Sequence, residues 1–326
     1  MDRVSSANTS ENWPSLPLRD WEPTYATLHR FTQVVGKVRL ALESPLNHWW
    51  HVPLYVTPRG LTTSSMPAGS LDLTMSFDFA DHRLVAKTSD KHVASFELGP
   101  MSVARFYAKA LGLLRDVGVP VSIWPVPVEV SDRTPFDADT HHAAYDPGAV
   151  ERLHRILLSI DRVFDAHRGW FLGKSSPVHF FWGAFDLAVR RFSGRRNRNP
   201  PPDAVNGEAY SHEVISHGFW PGGDWLDKGR VDEAVFYAYA VPEPDGFRET
   251  RGLPNGARYD RALGEFLLPY DAVARTDDPA ATLLDFMETT YRAGAERGGW
   301  DVGALEPARA ERSPGTAASG ALRTSP

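Results

Sequence analysis

Two segments of this 326-residue chain are built alike. Pro45-Leu46-Asn47-His48-Trp49-Trp50 runs on to Arg59, and Pro177-Val178-His179-Phe180-Phe181-Trp182 runs on to Arg190. A shift of 131 residues lays His48 on His179, Trp49-Trp50 on Phe180-Phe181, Leu54 on Phe185 and Arg59 on Arg190. A repeated unit constrains a fold strongly, because each copy must bury the same apolar pattern.

The flanking patterns extend the likeness. Leu28, Phe31, Val35, Val38 and Leu42 recur at helical spacing, which predicts a helix from about Pro23 to Leu42 with one apolar face and Pro23 in its first turn. Strands are expected near 51–57, 70–79, 82–88 and 93–98, and Leu71 to Phe79 alternates strictly. Asp81-His82 reads as a hairpin turn, Ser102 as the cap of a helix to about Val117, and Val121 to Trp124 as a short buried strand. The second half follows the same order. Asp146-Pro147 starts a helix to about His167, strands are expected near 178–190, 209–216, 233–241 and 264–269, and Asp278-Pro279 starts the last helix. The expected fold is α+β: two similar halves, 13–130 and 131–303, each a helix, four mostly antiparallel strands and a helix. A pseudo-two-fold axis would relate them, with the helices packed on the sheets. Chance likeness of amphipathic patterns is the alternative to duplication. Residues 1–12 and the tail 304–326 are too poor in apolar groups to order.

Composition narrows the function. With no Cys, disulfides, thiolate metal sites and cysteine nucleophiles are excluded. A net charge of −6 argues against a nucleic-acid binder. No apolar run approaches the roughly 18–20 residues of a membrane span, and the polar N-terminus lacks a secretory core, so a cytoplasmic address is expected. Ten Trp suggest either core mass or an aromatic pocket.

His48 and His179 lead the candidate site. If the halves meet about a two-fold axis, the two imidazoles approach each other. With His212 and Glu213 they would form a three-histidine, one-carboxylate set suited to a divalent metal. The alternative is that each imidazole bonds a backbone carbonyl in an aromatic core. His212-Glu213 and His217 invite a zinc-protease reading that fails on spacing, since the histidines are five apart and on a strand face opposite ways. Glu213 beside a lone His212 could still serve as a general base. Trp49, Trp50, Phe181, Phe219, Trp220 and Tyr237 are candidate pocket liners, and Arg59, Lys174 and Arg190 candidate clamps for carboxylate or phosphate. Asp78 and Asp186, unusual in strands, are candidate partners for those cations. Gly218 to Asp224 reads as a shaped loop whose glycines permit close approach to a ligand, or as a plain turn.

The strings Asn47-His48-Trp49-Trp50, Lys174 to Trp182, Tyr210-Ser211-His212-Glu213 and Gly218 to Gly222 carry a resemblance. From Trp13 to about Trp300 the chain resembles an uncharacterised bacterial family, domain of unknown function 5996. The resemblance implies a bacterial cytosolic protein and supplies no catalytic residues. His51 and His217 depart from its pattern, which makes them weaker candidates than His48, His179 and His212. No recognisable nucleophile arrangement is present, so three readings stand side by side: a small-molecule enzyme, with or without a metal, a non-catalytic small-ligand binder, or a structural protein whose aromatics are core.

Overall fold

The first helix sets the layout. A computed structural model describes residues 11–225 and 229–306, and in it this helix spans Leu18–Leu42. Pro23 lies inside it, not in its first turn. Leu18 and Trp21 are buried, and their burial outweighs the one hydrogen bond that the proline forfeits. Nor does the helix carry a single apolar face. Every residue from Thr27 to Arg39 is buried, so it is enclosed on all sides.

Its polar side chains therefore need partners inside the protein. Gln33 accepts from the Val128 N–H at 2.8 Å and donates to the Val128 carbonyl at 2.7 Å. Arg30 pairs with Asp139 at 3.3 Å and Asp132 at 3.8 Å. His29 Nε2 donates to the Gly183 carbonyl at 2.8 Å. These contacts tie the helix to the segment after the first sheet and to a turn of the second. Gly36 leaves room for Trp182, since a Cβ there would stand 2.2 Å from the indole.

The first sheet has six strands, not four: β1 (Tyr55–Thr57), β2 (Gly60–Thr62), β3 (Met66–Ala68), β4 (Leu71–Asp78), β5 (Arg83–Thr88) and β6 (Val93–Glu97). They run antiparallel in the order β1-β2-β4-β5-β6, with β3 also paired to β4. Leu73, Met75, Phe77 and Phe79 are buried, as their alternation requires. Asp81 and His82 lie in the turn between β4 and β5. Ser102 caps the helix Val103–Asp116 by accepting from the Arg105 N–H.

No helix or strand forms over 117–146. The strand expected at Val121 to Trp124 is absent, because Pro120, Pro125 and Pro127 withhold ladder donors; Trp124 is 59% exposed. Arg30 and Gln33 hold this irregular connection instead.

Asp146 caps the helix Pro147–Gly169. The second sheet then follows: β7 (His179–Phe181), β8 (Asp186–Arg196), β9 (His212–Trp220), β12 (Val235–Val241), β13 (Arg258–Asp260) and β14 (Glu265–Pro269). A separate hairpin, β10 (Gly223–Asp224) with β11 (Arg230–Val231), leaves the end of β9. The sheet order is β13-β14-β12-β9-β8-β7. Helices Pro147–Gly169 and Pro279–Arg297, the latter capped by Asp278, cover one face. There Arg191 reaches Glu288 at 3.0 Å and His217 reaches Thr290 at 2.9 Å. The opposite face carries His179, Asp186, Arg190, Gly218 and Tyr237.

The two like segments meet. Leu54 and Phe180 exchange both backbone hydrogen bonds at 2.9 Å, and Trp182 Nε1 donates to the Val52 carbonyl at 2.7 Å. One apolar core continues across this seam from Trp13 to Trp300. The fold is α+β, and each half runs helix, antiparallel sheet, helix. The halves share an order of elements, not a demonstrated symmetry. Of the tail expected to be unstructured, Ala304 and Leu305 end a short helix, Val302–Leu305, and Glu306 is buried; residues 1–10 and 307–326 lie outside the described residues. Among the described residues no helix is long and apolar enough to cross a membrane.

Candidate functional site

A cavity of about 240 Å³ opens where the first helix, the irregular connection and the second sheet meet. Tyr25 and His29 reach it from the helix, Glu129 from the connection, Ala184 from the β7–β8 turn, and Trp220 and Trp225 from the end of β9 and beyond. The local folding is specific. Gln33 clamps both backbone groups of Val128 and so presents Glu129, whose φ of 54° is left-handed. His29 fixes the Gly183 carbonyl, and Phe185 turns with a φ of 61°. A Cβ on Gly183 would stand 2.2 Å from Glu129 Oε1, so only a glycine there leaves the carboxyl in this position.

Glu129 makes no hydrogen bond or ion pair among the described residues. The protein packed around it raises its carboxyl to about 7, with Asp186 adding to the rise. Water reaching the exposed side chain through the cavity mouth works against that rise. Asp186 is 8% exposed, and burial raises its carboxyl to about 6, although Tyr237 donates its phenol proton to it. Gly218 makes that contact feasible, because a Cβ there would stand 2.1 Å from the Tyr237 ring. His29 is neutral near pH 7, lowered to about 4 by burial. The cavity mouth also carries Glu22, Asp132, Asp224, Arg30 and Arg230. Both arginines are engaged: Arg30 as described, Arg230 with Glu22 at 2.7 Å, Asp224 at 3.4 Å and Asp232 at 2.5 Å. Negative charge is therefore in excess, and Glu129 is its unengaged centre.

Of the residues singled out from sequence, Trp220 lines this cavity, and Tyr237 supports it through Asp186. The loop expected over Gly218 to Asp224 is mostly strand: Gly218 to Trp220 end β9 and Gly223-Asp224 form β10, with a tight turn between them in which Gly222 and Gly223 take φ of 93° and 115°. Asp186 takes the Tyr237 phenol rather than a cation. Phe219 points the other way, its ring 5.8 Å from Tyr270.

The histidines lie elsewhere. His48 and His212 come together, ring centroids 5.5 Å apart. His48 Nδ1 donates to the Ala209 carbonyl at 3.1 Å, and Lys174 Nζ stands 3.2 Å from Nε2. Burial, then Lys174, lowers His48 to about 4. His179 does not join them. The Trp50 indole contacts both, 5.4 Å from His48 and 5.9 Å from His179. Glu213 points away from His212 and accepts from Arg195 at 2.6 Å and Ser193 at 2.9 Å. The expected three-histidine, one-carboxylate set is thus not assembled, for two reasons: an indole lies between the imidazoles, and strand alternation turns Glu213 outward. Among the described residues no group of three or more His, Asp and Glu is arranged to hold a metal ion. Trp49 Nε1 donates to the Val205 carbonyl at 3.0 Å. Arg59 is an ion-pair partner of Asp78 at 2.7 Å and Asp81 at 2.5 Å, not a ligand clamp. Phe181 and Arg190 stack on the open face of the second sheet, 5.1 Å from guanidinium to ring centre.

Sequence reasoning passed over Tyr25, His29 and Glu129. Glu129 follows a proline-rich stretch without periodicity, so nothing placed it near Gly183. His29 reads as the polar side of an amphipathic helix, and only the helix's enclosure makes it internal. The one available signal was a charge between Val128 and Val130, an acid in an apolar run.

Fold and site together define an α+β protein of two antiparallel sheets around an enclosed helix, with an acidic, aromatic-walled cavity at their junction. Over residues 13–307 the chain matches the model of a family described as "Family of unknown function (DUF5996)", and it belongs to that family. No curated protein and no solved structure matches it.

Proposed function

We propose that the junction cavity binds a small organic cation, an amine or related group joined to an apolar or planar body. The observation that carries this is the Glu129 carboxyl, without a partner among the described residues, in a cavity walled by Tyr25, Trp220 and Trp225. A carboxylate beside aromatic faces favours a cation, through direct charge pairing and attraction to the ring faces. The acidic excess at the mouth would draw cations in and repel anions. Binding should depend on pH in a definite sense. The surrounding protein holds the Glu129 carboxyl above the usual carboxylate range, toward about 7, and only its ionised form pairs with a cation, so affinity should rise with pH up to that value.

Calorimetric titration with a panel of aromatic and aliphatic amines tests this. Binding that strengthens with pH and falls at least about tenfold in Glu129→Gln supports the reading, since the loss of a charge-assisted hydrogen bond is worth that much. Amines that bind the variant as they bind the parent would end it. A second reading, acid–base catalysis, is favoured by one observation: a carboxyl near 7 is suited to give and take protons at neutral pH. Turnover of a bound amine, abolished in Glu129→Gln while binding of a neutral analogue persists, would distinguish catalyst from binder.

A further inference from the structure

A second group of polar atoms lies apart from the cavity, on the open face of the second sheet. Arg190 Nε and Nη1, both ring nitrogens of His179, Ser216 Oγ and Trp50 Nε1 are all buried and have no hydrogen-bond partner. They belong to one neighbourhood. Arg190 sits directly opposite Ser216, and His179 opposite Ala188, two residues from Arg190 on the same face. The Arg190 guanidinium lies 5.1 Å from the Phe181 ring, which is 5.4 Å from His179. Trp50 is 5.9 Å from His179, and Lys174 Nζ lies 5.0 Å from the Trp50 ring.

The chemistry of these atoms is one-sided. A guanidinium and an indole N–H can only donate, while a hydroxyl and a neutral imidazole can do either. Leaving such donors buried and unpaired is costly, so the natural partner is rich in acceptors. The charge is one-sided too. Among the described residues Lys174 meets His48 and aromatic rings, and Arg190 the Phe181 and Tyr210 rings, with no carboxylate in an ion pair with either. Asp186, the acid acting on Arg190, already accepts the Tyr237 phenol. The potential around His179 is positive: burial, then Arg190, Arg39 and Arg168, lowers the imidazole to about 3. The face is reachable, since Arg190, Phe181 and Trp50 are half-buried and Lys174 is exposed.

We propose that this face is a second binding site, for an oxyanion of the carboxylate or phosphate type, held in the fork of Arg190 with Ser216, Trp50 and His179 as further donors and Lys174 at the rim. Arg190 suits the role, because its planar fork binds two oxygens of one anion at once. The site is independent of the amine cavity, and failure of either leaves the other standing.

The full chain should be titrated with inorganic phosphate and, separately, with acetate, in chloride buffer at constant ionic strength. Binding would be followed by calorimetry and by the ring resonances of His179 in NMR. Saturable binding of either anion that moves the His179 resonances is expected. Saturation by phosphate alone assigns a phosphate group, by acetate alone a carboxylate. Arg190→Gln should weaken binding by at least about tenfold and Arg190→Lys by less, because lysine keeps the charge and loses the fork. If Arg190→Gln does not fold, Ser216→Ala supplies the comparison, with a several-fold weakening expected. Neither anion moving the His179 resonances, or binding unchanged in Arg190→Gln, overturns the proposal.

Discussion

Gly183 and Glu129 occupy one small volume, and single atoms there decide more than whole elements. In Gly183→Ala the new Cβ would meet Glu129 Oε1 at 2.2 Å. That oxygen ends a flexible side chain, so the fold should survive within about 1 kcal/mol while the carboxyl is displaced and amine affinity falls. Paired denaturation and titration curves check it; unchanged affinity would show that Glu129 does not need its present position. Gly36→Ala is the contrast. Its Cβ would meet the rigid Trp182 indole at 2.2 Å, and overpacking of this kind costs about 1–3 kcal/mol in a urea melt. Neither glycine was legible as constrained in the sequence. Both have negative or extended backbone and sit far in the chain from the group they must avoid. Trp220 was legible, because it ends a strand just before the Pro221-Gly222-Gly223 turn.

The first helix is the element on which the cavity depends, and it is the one whose sequence misleads most. Its apolar spacing implies a single buried stripe, yet Thr32, Gln33, Lys37 and Arg39 are buried as well. Each polar residue reads locally as a solvent face, and only segments outside the helix, chiefly the 117–146 connection and the second sheet, reverse that. Helix starts fared better: Ser102, Asp146 and Asp278 all accept from backbone N–H groups as their positions suggest, because a cap is a local contact. The short strands β2 and β3 and the 117–146 connection were beyond periodicity, being too brief or too rich in proline. Gln33→Leu should expose the link between helix and connection. It leaves the Val128 N–H and carbonyl unpaired, a loss of about 1–3 kcal/mol, and amides over 128–132 should exchange with deuterium faster than in the parent. Equal exchange would mean that Gln33 does not hold Glu129 in place.

For the whole molecule the decisive inventory is imidazole. Of twelve histidines, His29, His48, His51, His154, His167, His179 and His217 are buried. Burial is the leading cause that lowers each of them below 6.5. The unfolded chain therefore takes up protons that the folded one refuses. That contribution to stability is complete above pH 6.5 and is lost as pH falls toward the folded values near 4. Glu129, Asp161 and Asp186 act oppositely: their raised carboxyls favour the fold at low pH and lose that advantage as pH climbs toward 6 or 7. Seven imidazoles outweigh three carboxyls, so stability should increase between about pH 4.5 and 6.5. Thermal melts across that interval would refute this by staying flat or falling.

The rung between Leu54 and Phe180 bears on how a guest gets in. Each residue hands the other its amide hydrogen, so the molecule cannot open like a clamshell without tearing main chain from main chain. A guest would enter instead at the existing mouth, where Arg230 of the β10–β11 hairpin bonds Glu22 of the enclosed helix at 2.7 Å, a pair that salt can loosen.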